Sequence, residues 1–321
     1  MNILITSAGR RVSLVRAFQK EIVRYFPDGK VFTVDMQPDL SSACRISDGS
    51  FPVCRVTDPD YCTDLIKICL ANNIKLIVPT IDTELIPLAR NAELFIKNGI
   101  KPVISSFEFV TICRDKRKLF RYFDSINFPR TREIDFSDPE FPVFVKPIDG
   151  SSSIGTRIIR DFSDLPVDAF KDESRVYLKY LSPKDYTEFT VDIYFDRNNF
   201  LKCAVPRERL EVRNGEVSKS VTRKAELYKK ICSLFSNCKG VIGCITLQVF
   251  CNRNSSEIAG IEINPRFGGG YPLSYQAGAN YPGYLIREYL LNEEIPFFEG
   301  WTSDMLMLRY DDEIIVNDFK G

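Results

Sequence analysis

A carboxylate, an amide and an arginine stand two positions apart in the segment IAGIEINPRFGGG, residues 258–270. Successive side chains of a β-strand point to opposite faces. A strand that runs up to the glycines therefore places Glu262, Asn264 and Arg266 on one face, and the apolar residues between them on the other. The three polar groups are predicted to share one wall.

A preceding strand brings a second amide to this wall. Residues 241–252 and the segment above read as two strands joined by a polar turn near 252–257, and antiparallel pairing places Gln248 close to Glu262. One carboxylate and two amide oxygens suit Mg²⁺, which binds few protein groups and keeps phosphate oxygens and water. The alternative is an exposed sheet edge whose polar residues bind nothing. This alternative could account for any one of the polar residues, but it accounts poorly for their grouping on one wall.

Two lysines upstream could hold phosphate groups. In FPVFVKPIDGSSSIGTRII, a strand ends at Lys146 and a loop with one glycine and three serines follows. Its backbone amides and hydroxyls could bind a polyphosphate, although such a loop alone has about even odds of being only a turn. Lys116 begins a helix in CRDKRKLF, where a solvated charged face is the simpler interpretation.

A strictly alternating strand lies between these motifs. In residues 186–195, polar side chains including Glu188 share one face and apolar ones the other, which predicts a half-buried strand that faces a cleft. The apolar run 176–181 before it ends in Ser-Pro, as a linker between lobes would. If an adenine stacked there, backbone groups around Lys179 to Leu181 could bind its edge and Glu188 the ribose hydroxyls.

Composition narrows the chemistry. The 321 residues are 44% apolar, with 43 basic and 43 acidic side chains and no histidine. Balanced charge gives no global field for nucleic acid or anionic lipid, and the lack of histidine removes Ser-His nucleophiles and histidine metal sites. Ten cysteines without a C-x-x-C pair indicate reduced, buried thiols. Without a signal peptide or membrane span, we expect a cytoplasmic protein.

The first 105 residues alternate short β-branched runs with amphipathic stretches, which predicts βαβ units on a parallel, Rossmann-like sheet. Helices are expected from about 11 to 25, near 59–72 and near 84–98. The first turn, TSAGRRVSLV, lacks the glycines of a dinucleotide site, because Gly9 alone stands where G-x-G-x-x-G needs three. A nicotinamide-dependent oxidoreductase is therefore the weakest hypothesis. Solvated arginines at 10 and 11 are the simplest interpretation of the turn, and an anionic substrate group near Ser7 and Arg10 is the alternative.

After residue 112 the pattern becomes α+β, with a helix in DKRKLFRYFDSI and another near 223–236. Taken in order, the two lysines, the serine loop, the linker, Glu188, Gln248 and EINPR resemble the ATP-grasp superfamily. The likeness spans nearly the whole chain, which looks like a half-repeat of a carbamoyl-phosphate synthase large subunit. It implies a Rossmann-like pre-ATP-grasp domain (1–112), a small lobe with a phosphate lid loop (113–182) and a large lobe with the metal site (183–321).

The resemblance also implies roles for individual residues. The phosphate and lid contacts would be Lys116, Lys146, Ser151, Ser152 and Ser153. The adenine and ribose contacts would be Lys179, Tyr180, Leu181 and Glu188. The Mg²⁺ ligands would be Gln248, Glu262 and Asn264, with Mn²⁺ as a substitute. Arg266, Lys146 and Arg207 would stabilise the reacting phosphate or acyl phosphate.

The implied activity is an ATP-dependent ligase that joins small-molecule carboxylate and amine substrates through an acyl phosphate, with a homodimer as a family-level expectation. A Mg-ATP-binding protein without ligase activity is the alternative, and a carbamoyl-phosphate-synthase-type activity is a weaker one. Two positions depart from the family pattern. Lys179 stands where an acid is frequent, and Gln248 where a carboxylate is frequent, which lowers the negative charge around the metal.

Overall fold

The computed structural model describes residues 1–149, 155–213, 215–224, 226–236, 238–255, 257–317 and 319. The first 102 residues form a parallel sheet of five strands with five α-helices. Its strands are β1 (Asn2–Ile5), β2 (Val31–Asp35), β3 (Gly49–Pro52), β4 (Ile74–Val78) and β5 (Lys101–Pro102). Its helices are α1 (Val12–Tyr25), α2 (Ser42–Ile46), α3 (Tyr61–Ala71), α4 (Leu85–Arg90) and α5 (Ala92–Lys97).

The parallel sheet has the strand order β3-β2-β1-β4-β5. The order reverses between β1 and β4, which makes a crevice at the carboxyl ends of these strands, the usual ligand position in open α/β sheets. The helix α1 packs against the sheet because its buried residues recur at helical spacing, as Leu14, Phe18 and Ile22 show. The Rossmann-like prediction is confirmed, including this helix.

Two helices, α6 (Phe107–Arg114) and α7 (Lys116–Ser125), lead to a small antiparallel sheet of three strands. These are β6 (Val143–Pro147), β7 (Arg157–Ile159) and β8 (Arg175–Lys179), in the order β7-β6-β8. Short 3₁₀ helices lie at Pro38–Leu40, Asp82–Glu84, Phe162–Asp164 and Ala169–Lys171. The helix α7 begins where it does because the Asp115 side chain accepts hydrogen bonds from the first free backbone amides.

The remaining chain builds a six-stranded antiparallel sheet in the order β13-β12-β9-β10-β11-β14. Its strands are β9 (Tyr186–Phe195), β10 (Leu201–Arg213), β11 (Glu216–Thr222), β12 (Gly243–Asn252), β13 (Ile258–Asn264) and β14 (Leu306–Leu308). The accompanying helices are α8 (Glu226–Leu234), α9 (Tyr271–Gln276), α10 (Tyr281–Leu285) and a π-helical turn at Ile286–Leu290.

One hydrophobic core joins the parallel sheet to the large antiparallel sheet. It contains residues of β1 and α1 together with residues of β9, β12 and α10. Phe18 of α1 meets Phe267, just beyond β13, edge to face with ring centroids 5.9 Å apart. The carboxyl end of the parallel sheet is therefore held in a fixed position relative to the end of β13, which carries Glu262.

The predicted mixture of α/β and α+β segments is confirmed, and each of the three sheets lies inside one of the three predicted segments. The boundaries at 112 and 182 stay predictions. The single helix expected near 84–98 is wrong, because two short helices meet at Asn91, whose side-chain amide donates to the carbonyl of Pro87. Among the described residues, no helix is long and apolar enough to span a membrane.

Candidate active site

A polar cleft of about 270 Å³ lies where the carboxyl end of the parallel sheet meets the ends of β12 and β13. Four arginines line it, namely Arg11, Arg207, Arg209 and Arg266. Three carboxylates, Asp82, Glu216 and Glu262, and two amides, Gln248 and Asn264, complete its charged and amide groups. Of the predicted site residues, the cleft therefore collects the three metal ligands and two of the three groups expected to act in catalysis.

The two strands place their polar side chains as the sequence predicts. Gln248 of β12 lies directly opposite Glu262 of β13, and Thr246 lies opposite Asn264. The side-chain nitrogen of Asn264 donates to Oε1 of Glu262 at 2.8 Å, which leaves the second carboxylate oxygen of Glu262 and the side-chain Oδ1 of Asn264 for a ligand. The donor set consists of hard oxygens, as Mg²⁺ requires.

Arg266 lies beyond the strand, contrary to the predicted strand through this residue. The strand ends at Asn264, because the Arg266 backbone amide turns back to donate to the Asn264 carbonyl at 2.8 Å. The turn directs the guanidinium across the cleft to Asp82, with Nη2 2.6 Å from Oδ2. Its Nε is buried without a hydrogen-bond partner in the described structure, so the guanidinium keeps a donor for another ligand.

Lys146 is the penultimate residue of β6 and is buried, with 5% exposure. Its ammonium donates to the carbonyl of Ile261, next to Glu262, at 3.5 Å, and lies 5.8 Å from the centre of the Phe120 ring. Burial, assisted by the charge of the neighbouring Lys116 and opposed by that of Glu262, lowers the pKa of Lys146 from 10.5 to about 8. A buried ammonium with so few anionic neighbours favours an anionic ligand.

Lys116 is the first residue of α7, and Asp115 caps that helix. Its backbone amide and its ammonium both reach the carbonyl of Ile148, at 3.1 and 3.4 Å. Burial lowers the pKa of Lys116, and the charge of Glu262 raises it. The structure therefore places both predicted lysines within electrostatic range of Glu262, although neither lines the polar cleft.

Arg207 is almost completely buried, and an ion pair holds it in place. Its Nε and Nη2 donate to the two oxygens of Asp192 at 2.7 and 3.0 Å, and Ser274 donates to the same carboxylate at 2.6 Å. Its Nη1 is buried without a partner among the described residues. A methyl group on Gly270 would lie 2.2 Å from this Nη1, so glycine is required there for Arg207 to reach the cleft wall.

The predicted nucleotide contacts are spread more widely. Glu188 is half-buried and pairs with Nη1 of Arg209 at 3.3 Å; burial raises its pKa, and Arg209 opposes that rise. Lys179 is exposed at the end of β8, 3.0 Å from Glu140, and Tyr180 and Leu181 follow half-buried. None of these three linker residues lines the polar cleft. Ser151, Ser152 and Ser153 lie outside the described residues.

Sequence reasoning missed Arg11, Arg209 and Glu216, which line the cleft. The interpretation of Arg11 as solvated is wrong, because the side chain is half-buried in the cleft wall, where burial and the nearby Arg266 together lower its pKa to about 10. One signal was available: Arg11 follows the turn after β1, at the carboxyl edge where open α/β sheets bind ligands. Asp82 lines the cleft as well, where it pairs with Arg266.

Two family models match the chain. Residues 3–103 match the model described as PylC-like, N-terminal domain. Residues 176–306 match the model described as ATP-grasp in the biosynthetic pathway with Ter operon. The second match includes Glu188, Arg207, Gln248 and the EINPR segment.

Among curated proteins, the chain is similar to the 3-methyl-D-ornithine--L-lysine ligase of Methanosarcina mazei. The two are 36% identical over 139 residues, which cover 39% of this chain and 32% of that protein. The chain thus matches about a third of the length of this relative.

Among solved structures, the chain resembles the biotin carboxylase of Campylobacter jejuni with a TM-score of 0.72 at 16% identity, over 95% of this chain and 74% of that one. It also resembles the biotin carboxylase domain of the Hydrogenobacter thermophilus 2-oxoglutarate carboxylase, a dimer in complex with MgADP, ADP and bicarbonate. That match has a TM-score of 0.71 at 14% identity, over 95% and 73% of the two chains. At these identities the likeness shows the fold.

Proposed function

We propose that the chain is a member of the ATP-grasp superfamily, as its match to the ATP-grasp family model over residues 176–306 supports, and that it is an ATP-dependent ligase that joins a carboxylate to an amine. The name of the Methanosarcina relative supports the reaction type, and the MgADP complex of the structural neighbour supports the nucleotide and metal. The observation that carries the proposal is the grouping of Glu262, Asn264 and Gln248 on one wall of a cleft that also holds Arg266.

We assign the Mg²⁺ site to Glu262, Asn264 and Gln248, with nucleotide phosphate oxygens in the remaining positions. The hydrogen bond from Asn264 to Glu262 orients these two side chains, and strand pairing brings Gln248 alongside them. When bound, Mg²⁺ would neutralise charge on the transferred phosphate. A single carboxylate among the three protein ligands favours one tightly held ion.

The phosphate-binding groups are assigned to Lys116 and Lys146, with Ser151, Ser152 and Ser153 as the lid. Burial lowers the pKa of both ammonium groups, and the negative charge of a bound triphosphate would stabilise their protonated forms. Lys179, Tyr180 and Leu181 are assigned to adenine, which their backbone groups would contact, and Glu188 to the ribose.

The reaction proceeds in two balanced steps. A carboxylate oxygen of the substrate attacks the γ-phosphorus of ATP, and the bond to ADP breaks, which gives an acyl phosphate. An amine then attacks the acyl carbon, loses a proton and expels inorganic phosphate, which leaves an amide. Lys146, Arg207 and Arg266 supply positive charge and position, so no covalent nucleophile is needed in a chain without histidine.

Substrate recognition is assigned to the arginine side of the cleft. Arg11 lies beside Glu216 and the backbone of Gly269, whose added methyl group would come 3.0 Å from Nη1 of Arg11. With Arg209 and Arg266 it offers guanidinium groups that bind planar carboxylates in bidentate fashion. Amino acids, which the relative's name mentions, are the first substrates to test.

The test is a screen for ADP release over pairs of carboxylates and amines, with and without Mg²⁺. We expect release that requires both substrates and the metal. Glu262→Ala and Lys146→Ala should abolish it while the circular dichroism spectrum stays unchanged. Turnover at the wild-type rate in either variant would contradict the assigned roles, and binding of ATP without ADP release for any pair would favour a binding protein.

The homodimer is part of the same proposal. Its support is the dimer described for the neighbouring biotin carboxylase domain. Light scattering at micromolar concentration measures it directly, with a mass near 74 kDa expected from two chains of 36.8 kDa each. A mass of one chain would contradict this element and leave the ligase proposal intact.

A further inference from the structure

A second cavity, of about 370 Å³, lies at the carboxyl end of the parallel sheet. Its walls come from the residues that follow β1, β2 and β3 and from the segment after β4. This is the crevice beside β1 and β4 where the strand order reverses, the position at which open α/β sheets bind ligands. Ile81 lines this cavity and also the polar cleft, so the two spaces share a wall.

The cavity has one carboxylate, Asp35, at the end of β2. Its Oδ2 accepts from the Gly9 amide at 3.0 Å and its Oδ1 from the Gln37 amide at 3.4 Å. No lysine or arginine in the described chain forms an ion pair with it. Because an ionised carboxylate accepts about four hydrogen bonds, Asp35 keeps capacity for a cation that enters the cavity.

Two hydroxyls of the cavity wall, those of Ser7 and Tyr61, already donate to a carboxylate behind the wall. Ser7 and Tyr61 both donate to Oε2 of the buried Glu84, at 2.9 and 2.8 Å, and the amides of Thr80 and Ile81 donate to its other oxygen. Glu84 therefore holds Ser7 and Tyr61 in place from behind the cavity wall and does not itself contact the cavity. Asp35 is the acidic group that a cation entering the cavity would contact.

The other walls are mainly apolar. Met36, Val53, Val56 and Ile81 contribute hydrocarbon surface, and the exposed Arg55 lies at the rim. An aliphatic chain would exchange water for these side chains, at about 0.8 kcal/mol for each buried methylene group. The cavity therefore suits a ligand with a cationic end and a hydrocarbon body.

We propose that this cavity holds the non-reacting ammonium group of a diamine-type amine substrate, with Asp35 as its partner, while the second amine reaches the polar cleft past Ile81. The proposal rests on the proposed ligase function, because it assigns one end of the amine substrate of that reaction. A monoamine cannot both pair with Asp35 and present an amine to the acyl phosphate. Selection for two amines follows from the geometry.

The first test measures binding without ATP, so that it does not depend on turnover. Isothermal titration compares α,ω-diamines of three to six carbons with the diols of the same lengths. Diamines should bind the wild type and diols should not. Asp35→Asn keeps an oxygen for the Gly9 amide and should weaken diamine binding at least tenfold, whereas Asp39→Asn, at an exposed acid paired with Arg45, should not change it.

A second variant tests whether any loss of binding in Asp35→Asn comes from misfolding. Val56→Phe fills the cavity and leaves Asp35 in place, and it should also abolish diamine binding. Equal binding by wild type, Asp35→Asn and Val56→Phe would overturn the proposal. Binding of NAD or adenosine that Asp35→Asn abolishes, without any diamine binding, would overturn it as well.

The last test uses ADP release with the best diamine and the monoamine of equal length. In the wild type the diamine should exceed the monoamine at least tenfold in kcat/KM, and in Asp35→Asn the two should agree within about threefold. The same preference in both proteins would refute the assignment of Asp35 while the ligase function stands. No ADP release for any amine would count against the ligase function. The titration would then test by itself whether the cavity binds a diamine through Asp35.

Discussion

The replacement Lys146→Met should make the free protein more stable at neutral pH while it removes the activity. Lys146 is buried, and burial lowers its pKa from 10.5 to about 8. One pKa unit corresponds to about 1.4 kcal/mol, so at pH 7 the charged ammonium costs the folded state about 3 kcal/mol. Methionine has nearly the same length and volume and carries no charge.

The sign follows from proton binding. Below pH 8 the ammonium is protonated in both states, and the folded state carries the full cost. Between pH 8 and 10.5 the unfolded state binds more protons, so this cost declines as pH rises. The stability advantage of the methionine variant should therefore fall from about 3 kcal/mol at pH 7 to about 1 kcal/mol at pH 9.5, less a fraction for the lost contact with Phe120.

Urea unfolding at the two pH values measures this difference, and ADP release measures the activity. Lys171→Met is the matched control, because Lys171 lies in the same lobe with its ammonium 5.2 Å from the Phe170 ring but is exposed. It should change stability by less than about 0.5 kcal/mol and leave ADP release intact. A Lys146→Met protein that is less stable than wild type at pH 7, or an advantage that does not shrink with pH, would refute the reasoning.

Three further changes test the cleft. Glu262→Gln should lower ADP release at least a hundredfold and raise the Mg²⁺ concentration for half-maximal activity; an unchanged metal titration would argue against a metal ligand. Asp192→Asn leaves Arg207 buried without a charge partner, which should cost about 3 kcal/mol in urea unfolding, and adding Arg207→Met should restore stability but not activity. Gly270→Ala would crowd Arg207 and Val217 and should cost about 1–3 kcal/mol together with most of the activity; a fully active alanine variant would show that the glycine is dispensable.

Local pattern sufficed for several parts of the site. The two-residue period of strands places Gln248 opposite Glu262 once an antiparallel pair is assumed, and the structure has this register. The alternation of strands and helices likewise predicted the parallel sheet. These features depend on backbone geometry, which nearby residues dictate, so one sequence is enough to infer them.

Other parts depended on residues far apart in the chain. The ion pair between Arg266 and Asp82 joins positions 184 residues apart, and Arg11 enters the same cleft from the first turn. The sequence pattern does not predict how the parallel sheet is positioned against the antiparallel one. The two sheets meet through side-chain packing, and no strand of one pairs with a strand of the other in the described chain. The edge-to-face contact between the rings of Phe18 and Phe267 is part of that packing.

The sequence by itself determined which residue types face the cleft from β12 and β13, and which reaction classes a histidine-free chain excludes. Tertiary structure alone decided that Lys146 is buried and so has a lowered pKa, that Asp192 holds Arg207, and that Asp35 faces a cavity without a cation partner in the described chain. Desolvation and ion pairing depend on what surrounds a group in three dimensions, and linear order does not encode that directly.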